Sequence, residues 1–449
     1  MDRKVRATVL AVLGVVLIAG TLGVSAMTAP ALGVNDDGAR TTLVGSQGGG
    51  TGWHDYGSVY LLNGSTIEWR EDSAGSYFDV TRLDNGSVMA GFMNTGLQSN
   101  CGPYETPCAR TGFRIIDPTA SGGPQVVSEY SFPVRSASNS EVHDVEQLDS
   151  GEYLLTDMDA ERVFTVQNGE VTWEWSASDF YTPPEDPTRR DWLHINDVDA
   201  INESHYLVSV RNANQLVVVE RGAGVVEVIN ADRDDSDDGS CQVRGGQLVA
   251  GEDGDVRCGD PEVLDHQHNP QWLGNGSVLV ADSDNDRVVE LHRNEDGEWE
   301  PAWTLEAAGG LALDWPRDAD RLDNGNTLVT DTLNRRVFEV NGTGHVVWSV
   351  RSQRIPYEAE RLPDGERVGG VHYPLNGSDT ASNGGTESDT PVSTPGAPDG
   401  DVPLLSTGVT VVHAALPSTP FWFKELQLGL SLLGFVLVVG GGVGRWRAS

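Results

Sequence analysis

With 449 residues and a formal net charge of −37, the chain has too few basic groups to neutralise a phosphate backbone, and this excludes a general nucleic-acid partner. Its 53 glycines, 22 prolines and many short alternating apolar runs favour one large all-β domain over a helical one. Only Lys4 and Lys424 are lysines among 30 basic residues; an acidic, lysine-poor surface of this kind resembles proteins of salt-loving archaea, whose excess carboxylates keep them hydrated in molar salt.

Residues 1–27 carry Arg3, Lys4 and Arg6 ahead of an apolar run from 7 to 27, the pattern of a signal peptide or an N-terminal membrane anchor. Val24, Ser25 and Ala26 offer a small-residue cleavage site. Residues 28–50 read as a flexible leader, and the glycine-rich stretch 45–52 extends it. Residues 58–70 then read as a strand, an Asn-Gly turn and a second strand.

Within residues 51–372 one frame repeats. An apolar strand runs into a turn ending at Gly86, Gly151, Ser204, Gly276, Gly325 and Gly365. After most turns come an apolar strand, an Asp-rich corner and another strand, and in several copies an outer strand with a Trp follows, as at 171–175 and 346–350. An Asp six residues after the turn and an Arg eleven after it recur, as in Asp282 with Arg287 and Asp331 with Arg336, which speaks for architecture rather than catalysis. A unit of about 40–50 residues with four short strands is a propeller blade. The expected fold is therefore all-β, a six-bladed β-propeller with N- and C-terminal hydrophobic (transmembrane) segments. The sixth copy lacks outer strands, so residues 58–70 are expected to supply them and close the ring.

The spacing between turns lengthens twice, at 94–125 and 231–262, and each insertion holds one cysteine pair. In an exported body the close pairs Cys101 with Cys108 and Cys241 with Cys258 are favoured among three connectivities. Asn63, Asn85, Asn202, Asn275, Asn341 and Asn376 head glycosylation sequons, although Asn-Gly is also a preferred hairpin turn. Asp234, Ser236, Asp238 and Gly239 match the start of a calcium loop, but Gly245 stands where the closing Glu belongs, so a solvated acidic loop is favoured and no metal is expected.

Residues 373–403 are Ser, Thr, Gly, Pro and Asp without apolar periodicity and read as a disordered stalk. Residues 404–425 form a juxtamembrane segment, 426–444 a transmembrane helix flanked by Phe421, Trp422, Phe423, Arg445 and Arg447, and 445–449 a cytoplasmic tail. Both ends place the propeller on the extracellular side of a cell membrane.

Counting eight residues back from each turn should open each innermost strand at the central channel, with Phe78, His143, Asn196, His268, Arg317 and Tyr357 there. With 10 histidines in the chain, chance places about 0.13 in six positions, whereas two occur, and His194 stands two residues from a third. His266 shares the strand face of His268 by the period of two. Arg211 follows the strand after His194. Trp192, Trp272 and Trp315 offer stacking surfaces for an aryl group, although rim tryptophans commonly serve packing. A neutral imidazole can attack sulfur or phosphorus and carry the group, while Arg211 and a second histidine neutralise the oxygens and protonate the leaving one.

These residues also carry a resemblance. The runs D-W-L-H-I-N (191–196) and S-V-R-N-A-N (209–214), with V-H-D-V-E-Q-L (142–148) and Q-H-N-P-Q-W-L (267–273), are similar to the aryl-sulfate sulfotransferase family over most of residues 51–372. The resemblance implies a six-bladed propeller that moves a sulfuryl group between phenols through a sulfohistidine, with no nucleotide donor and no cofactor. It implies His268 as nucleophile and His143, His194, Asn196 and Arg211 around the sulfuryl oxygens; Arg317, His266 and Trp192 join them as candidate substrate contacts. The chain departs from the family where Val142 precedes His143 in place of a doubled histidine, and where Ala281, Asp282 and Ser283 replace D-N-G. Residues 28–50 leave no room for the N-terminal β domain of bacterial members, so their dimer is not carried over. The expected partners are an aryl sulfate, a phenol and the membrane. A non-catalytic extracellular propeller binding a glycan, anion or envelope protein is the competing reading.

Overall fold

The computed structural model describes residues 3–29, 40–50, 53–138, 140–189, 191–232, 241, 258–274, 276–363, 365, 367–373, 405, 408–409, 411–413, 416 and 419–447. The chain divides into two compact units, one of residues 32–386 and one formed by the two ends.

The larger unit is a six-bladed propeller of four-stranded antiparallel sheets. Blade 1 opens with strand Ser76–Arg82, blade 2 with Val145–Gln147, blade 3 with Ile195–Asn202, blade 4 with His268–Gly274 and blade 5 with Pro316–Arg321. Blade 6 joins the two ends of the domain: Ile355–Leu362 is its inner strand, and Thr41–Gly48, Ser58–Asn63 and Thr66–Glu71 complete it. The hairpin at 58–70 thus supplies the outer strands of the last blade. Residues 41–48 correct the expectation of a flexible leader, because they form that blade's second strand. Thr41, Thr42, Leu43 and Val44 suit a strand, and Gly45 is there for a close approach: a Cβ on it would meet the Phe78 carbonyl oxygen at 1.9 Å.

Among the described residues the core has six layers, one between each pair of neighbouring blades, and a further cluster in which Tyr357 of blade 6 joins Phe78, Met93, Ala109 and Val134 of blade 1. The two faces of each strand serve different layers: Tyr206 and Val208 pack toward blade 2, whereas Leu207 packs toward blade 4. The recurring Asp and Arg meet as ion pairs at the blade corners, Asp282 with Arg287 at 2.6 Å, Asp331 with Arg336 at 2.7 Å and Asp157 with Arg162 at 2.8 Å.

A second repeat stitches the blades around the axis. Seven residues before each turn stand Asp79, Asp144, Asp197, Asn269, Asp318 and Glu358. Asp79 accepts from the backbone N–H of Val145 at 3.3 Å, Asp144 from Val198 at 2.8 Å, Asp318 from Ala359 at 2.9 Å and Glu358 from Val80 at 3.3 Å. Each bond runs from one blade to the next and satisfies a buried backbone donor that the sheet ladder cannot reach.

Both cysteine pairs are disulfides, Cys101–Cys108 and Cys241–Cys258. The calcium-like loop, Asn275 and residues 374–403 of the stalk lie outside the described residues. Tyr373, read as the start of that stalk, is instead bonded into the propeller, its N–H donating to Glu290 at 2.8 Å and its hydroxyl to the Gly325 carbonyl at 2.7 Å. In the second unit α1 (Arg3–Thr28) packs on α2 (Glu425–Arg447); a Cβ on Gly14 would meet the Gly434 carbonyl oxygen at 2.4 Å, and Gln427 donates to the Ser25 hydroxyl at 2.8 Å. Both helices are long and apolar enough to cross a membrane.

Candidate functional site

The inner strands bring the predicted ring together at the channel. Phe78, His143, Asn196, His268, Arg317 and Tyr357 are all buried. The His143 ring centroid lies 5.0 Å from Phe78, 5.1 Å from Tyr357 and 5.6 Å from His194, and Tyr357 is 6.3 Å from His268. The Arg317 guanidinium stacks on Trp315 at 4.2 Å and on Tyr357 at 5.0 Å, and bonds Gln47 on the strand that closes the ring. Residues separated by more than 200 positions therefore share one small volume.

Two imidazoles in that volume are set in opposite tautomers. Nδ1 of His268 lies 2.7 Å from the Ser283 hydroxyl, which itself donates to the Pro316 carbonyl at 2.7 Å. With its proton committed, Ser283 accepts from Nδ1–H of His268, which leaves Nε2 of His268 with a free lone pair. At His143 the order reverses. The Tyr357 hydroxyl lies 2.8 Å from its Nδ1, and burial holds that phenol well above its usual value and so protonated. With the acceptor Glu141 4.0 Å from Nε2, the favoured tautomer has Tyr357 donating to Nδ1 and the proton on Nε2 of His143. Burial is the main cause that pushes both imidazoles well below 6.5; Arg317 and Arg211 reinforce it at His268, whereas Glu141 opposes it at His143. One neutral imidazole thus presents a lone pair to the channel and the other a proton.

A second ring stands two residues nearer the mouth: Ser76, Glu141, His194, His266, Trp315 and Ile355. Nδ1 of His194 pairs with Asp191 at 2.7 Å. Nδ1 of His266 meets Asp284 at 2.9 Å and Asp265 at 3.0 Å, and Asp284 also accepts from the Trp315 indole at 2.9 Å. Buried Glu141 pairs with His54 at 3.2 Å and lies 4.0 Å from Nε2 of His143. Burial opposes that ion pair on both sides, yet the contact wins: His54 is raised and Glu141 is held well below the carboxylate range. The charge of Arg211 acts on His143, His268, His266, Asp191 and Asp284 together, which places its guanidinium among them.

Asp265, His266 and Asp284 offer ligand atoms close enough for a metal ion, but the Arg211 charge beside them opposes a cation. An anion is the better match for the volume as a whole. Two guanidiniums face it, and Nε2 of His143, Nε of Arg211 and Nε of Arg317 are buried donors with no hydrogen-bond partner.

Of the residues singled out from the sequence, His143, His194, His266, His268, Arg211, Arg317 and Asn196 converge here; Asn196 donates to the Gln267 carbonyl at 2.8 Å. Trp192 is elsewhere, 5% exposed in the core layer between blades 2 and 3. Sequence reading missed Tyr357 as a partner of His143, Ser283, His54 and Glu141. Ser283 stood in the run flagged as a departure, and Glu141 lies one period of two before His143. His54 carries no such register signal. An open cleft of about 420 Å³ on the outer strands, lined by Trp173, Phe180 and Glu220, contains none of these groups.

Residues 67–297 match the family model described as Arylsulfotransferase (ASST), just over half of the chain. That span includes His143, His194, Asn196, Arg211, His268 and Ser283. No curated protein matches the chain. Among solved structures it is similar to a Bacteroides caccae protein of unknown function, at 15% identity and a TM-score of 0.47 over 72% of this chain and 99% of that one. It is also similar to a periplasmic gluconolactonase of Pseudomonas aeruginosa, at 13% identity and a TM-score of 0.41 over 72% and 99%. A virginiamycin B lyase of Staphylococcus aureus follows at 9% identity and 0.34 over 60% and 68%. These structural likenesses bear on neither substrate nor mechanism.

Proposed function

The chain belongs to the arylsulfotransferase family, and from that premise we propose that it transfers a sulfuryl group from a phenolic sulfate to a phenol through a sulfohistidine at Nε2 of His268. The lone pair of Nε2 attacks sulfur, the bond from sulfur to the aryl oxygen breaks, and its electron pair leaves on the phenolate oxygen. Nε2–H of His143 protonates that oxygen. The acceptor phenol then attacks the sulfur, its proton returns to His143, and the N–S bond breaks with its pair on His268. Arg211, Arg317 and Asn196 hold the sulfuryl oxygens, and His194, kept in place by Asp191, completes the clamp.

The observation that carries this reading is the pair of opposite tautomers, His268 on Ser283 and His143 on Tyr357. A channel that only bound an anion would gain from charged imidazoles, whereas burial and the two guanidiniums favour neutral ones here. The terminal helices support a membrane-anchored protein with the propeller outside the cell, and the acidic, lysine-poor composition supports a salt-rich setting.

Purified full-length protein in molar salt, given 4-nitrophenyl sulfate and a phenol acceptor, should release 4-nitrophenol. Without acceptor, His268 should gain the mass of one sulfuryl group. No turnover by the wild type, or undiminished turnover by His268→Ala, would refute the reading in favour of a non-catalytic anion- or glycan-binding propeller.

A further inference from the structure

Three residues of the second ring, His194, His266 and Trp315, hold left-handed backbone conformations, with φ of 56°, 49° and 54°. Left-handed φ is uncommon for side chains of this size and persists only where the surroundings impose it. The surroundings here are the same in all three cases. The N–H of His194 donates to Glu161 at 2.8 Å, that of His266 to Asn214 at 3.1 Å, and that of Trp315 to Asp286 at 2.7 Å. Glu161 also accepts from Leu193 at 2.7 Å and Ile195 at 3.1 Å.

The three acceptors are equivalent. Each stands ten residues after its blade's turn, each is itself left-handed, and each reaches into the next blade. The same position in blade 1 is Gly96 and in blade 5 Arg335, both also left-handed. Glycine has no side chain and arginine has no acceptor, so neither can make this bond. The second-ring residues that follow them, Glu141 and Ile355, are not left-handed. The correspondence between acceptor and backbone conformation therefore holds at all five positions.

We propose that Glu161, Asn214 and Asp286 are positioning residues: each clasps the backbone of the next blade in a left-handed turn and thereby aims His194, His266 or Trp315 into the channel. One of the three aims His194, which completes the sulfuryl clamp, and Trp315 lies 6.0 Å from His268 with the Arg317 guanidinium on its face. Without the clasp the turn relaxes to an ordinary φ and the side chain swings off the axis. The inference rests on the sulfuryl-transfer reading for its effect on rate, but not for its effect on backbone.

Asp286 gives the cleanest test, because asparagine keeps the accepting oxygen and alanine removes it. Asp286→Ala should speed hydrogen exchange at the Trp315 amide and lower kcat for 4-nitrophenyl sulfate by about 10- to 100-fold, the scale of an ångström's misplacement near a reacting centre. The thermal midpoint should shift little, and Asp286→Asn should recover both amide protection and kcat. An Asp286→Ala protein that exchanges faster at Trp315 yet keeps its kcat overturns the positioning role. So does an Asp286→Asn protein as impaired as the alanine variant, since charge and not the clasp would then matter. A wild type without turnover defeats the sulfuryl-transfer reading instead. The exchange comparison still decides the clasp in that case, and equal Trp315 exchange in wild type and Asp286→Ala refutes it.

Discussion

The Tyr357 hydroxyl lies 2.8 Å from Nδ1 of His143, a contact between blades 6 and 2, which are not neighbours. Only the narrowing of a propeller toward its axis lets two such blades touch. Together with Glu141, an acceptor 4.0 Å from Nε2, this bond favours the tautomer of His143 that faces the channel with a proton. Tyr357→Phe should therefore lower kcat by about 10- to 100-fold with KM little changed, because a donor needed in the transition state would lose its orientation. The buried Nδ1 left without a partner should also cost about 1–3 kcal/mol of stability. Steady-state kinetics with a urea titration at fixed salt checks both.

Ser283→Ala addresses the other imidazole. His268 would lose the acceptor of its Nδ1–H, bonded at 2.7 Å, and with it the bias that keeps Nε2 free to attack. The expected result is slower formation of the sulfohistidine, again by about 10- to 100-fold, with acceptor transfer less affected. Single-turnover measurement of sulfated protein separates the two half-reactions.

The pH dependence follows from the depressed imidazoles. His143 and His268 take up protons only well below 6.5, so kcat/KM should stay level from neutral pH through 6.5 and fall only in more acid solution. Stability has a related sign. Unfolded histidines bind protons as pH drops below about 6.5 while these two do not, so the free energy of unfolding declines in that window. His54 acts the other way, because its raised value gives stabilisation that is complete below 6.5 and lost as pH rises through the folded value. A pH–rate profile and a pH series of urea midpoints test this, and an acid limb centred at or above 6.5 contradicts it.

Closure of the ring depends on the strand Thr41–Gly48. Gly45→Ala would drive a Cβ to 1.9 Å from the Phe78 carbonyl oxygen, a backbone atom that cannot swing aside. The strand must shift away from blade 1, at a cost of about 1–3 kcal/mol. A lowered urea midpoint with an unchanged slope would show it.

By itself the sequence determined the number of blades, their turns and the six positions that open the inner strands, because these repeat at fixed offsets from one recognisable turn. It also determined the cysteine pairs and the two apolar ends, since length and composition decide those locally. The ring Asp79, Asp144, Asp197, Asn269, Asp318 and Glu358 was present at an equally fixed offset, but its meaning depends on backbone donors in the next blade. Tertiary structure alone decided that Trp192 packs between blades, that residues 41–48 pair with 355–362, and that Ser283 and Tyr357 set two imidazoles in opposite tautomers. The physical reason is common to all of these. A propeller's repeat is written along the chain, whereas its chemistry arises between blades, across contacts that sequence spacing does not record.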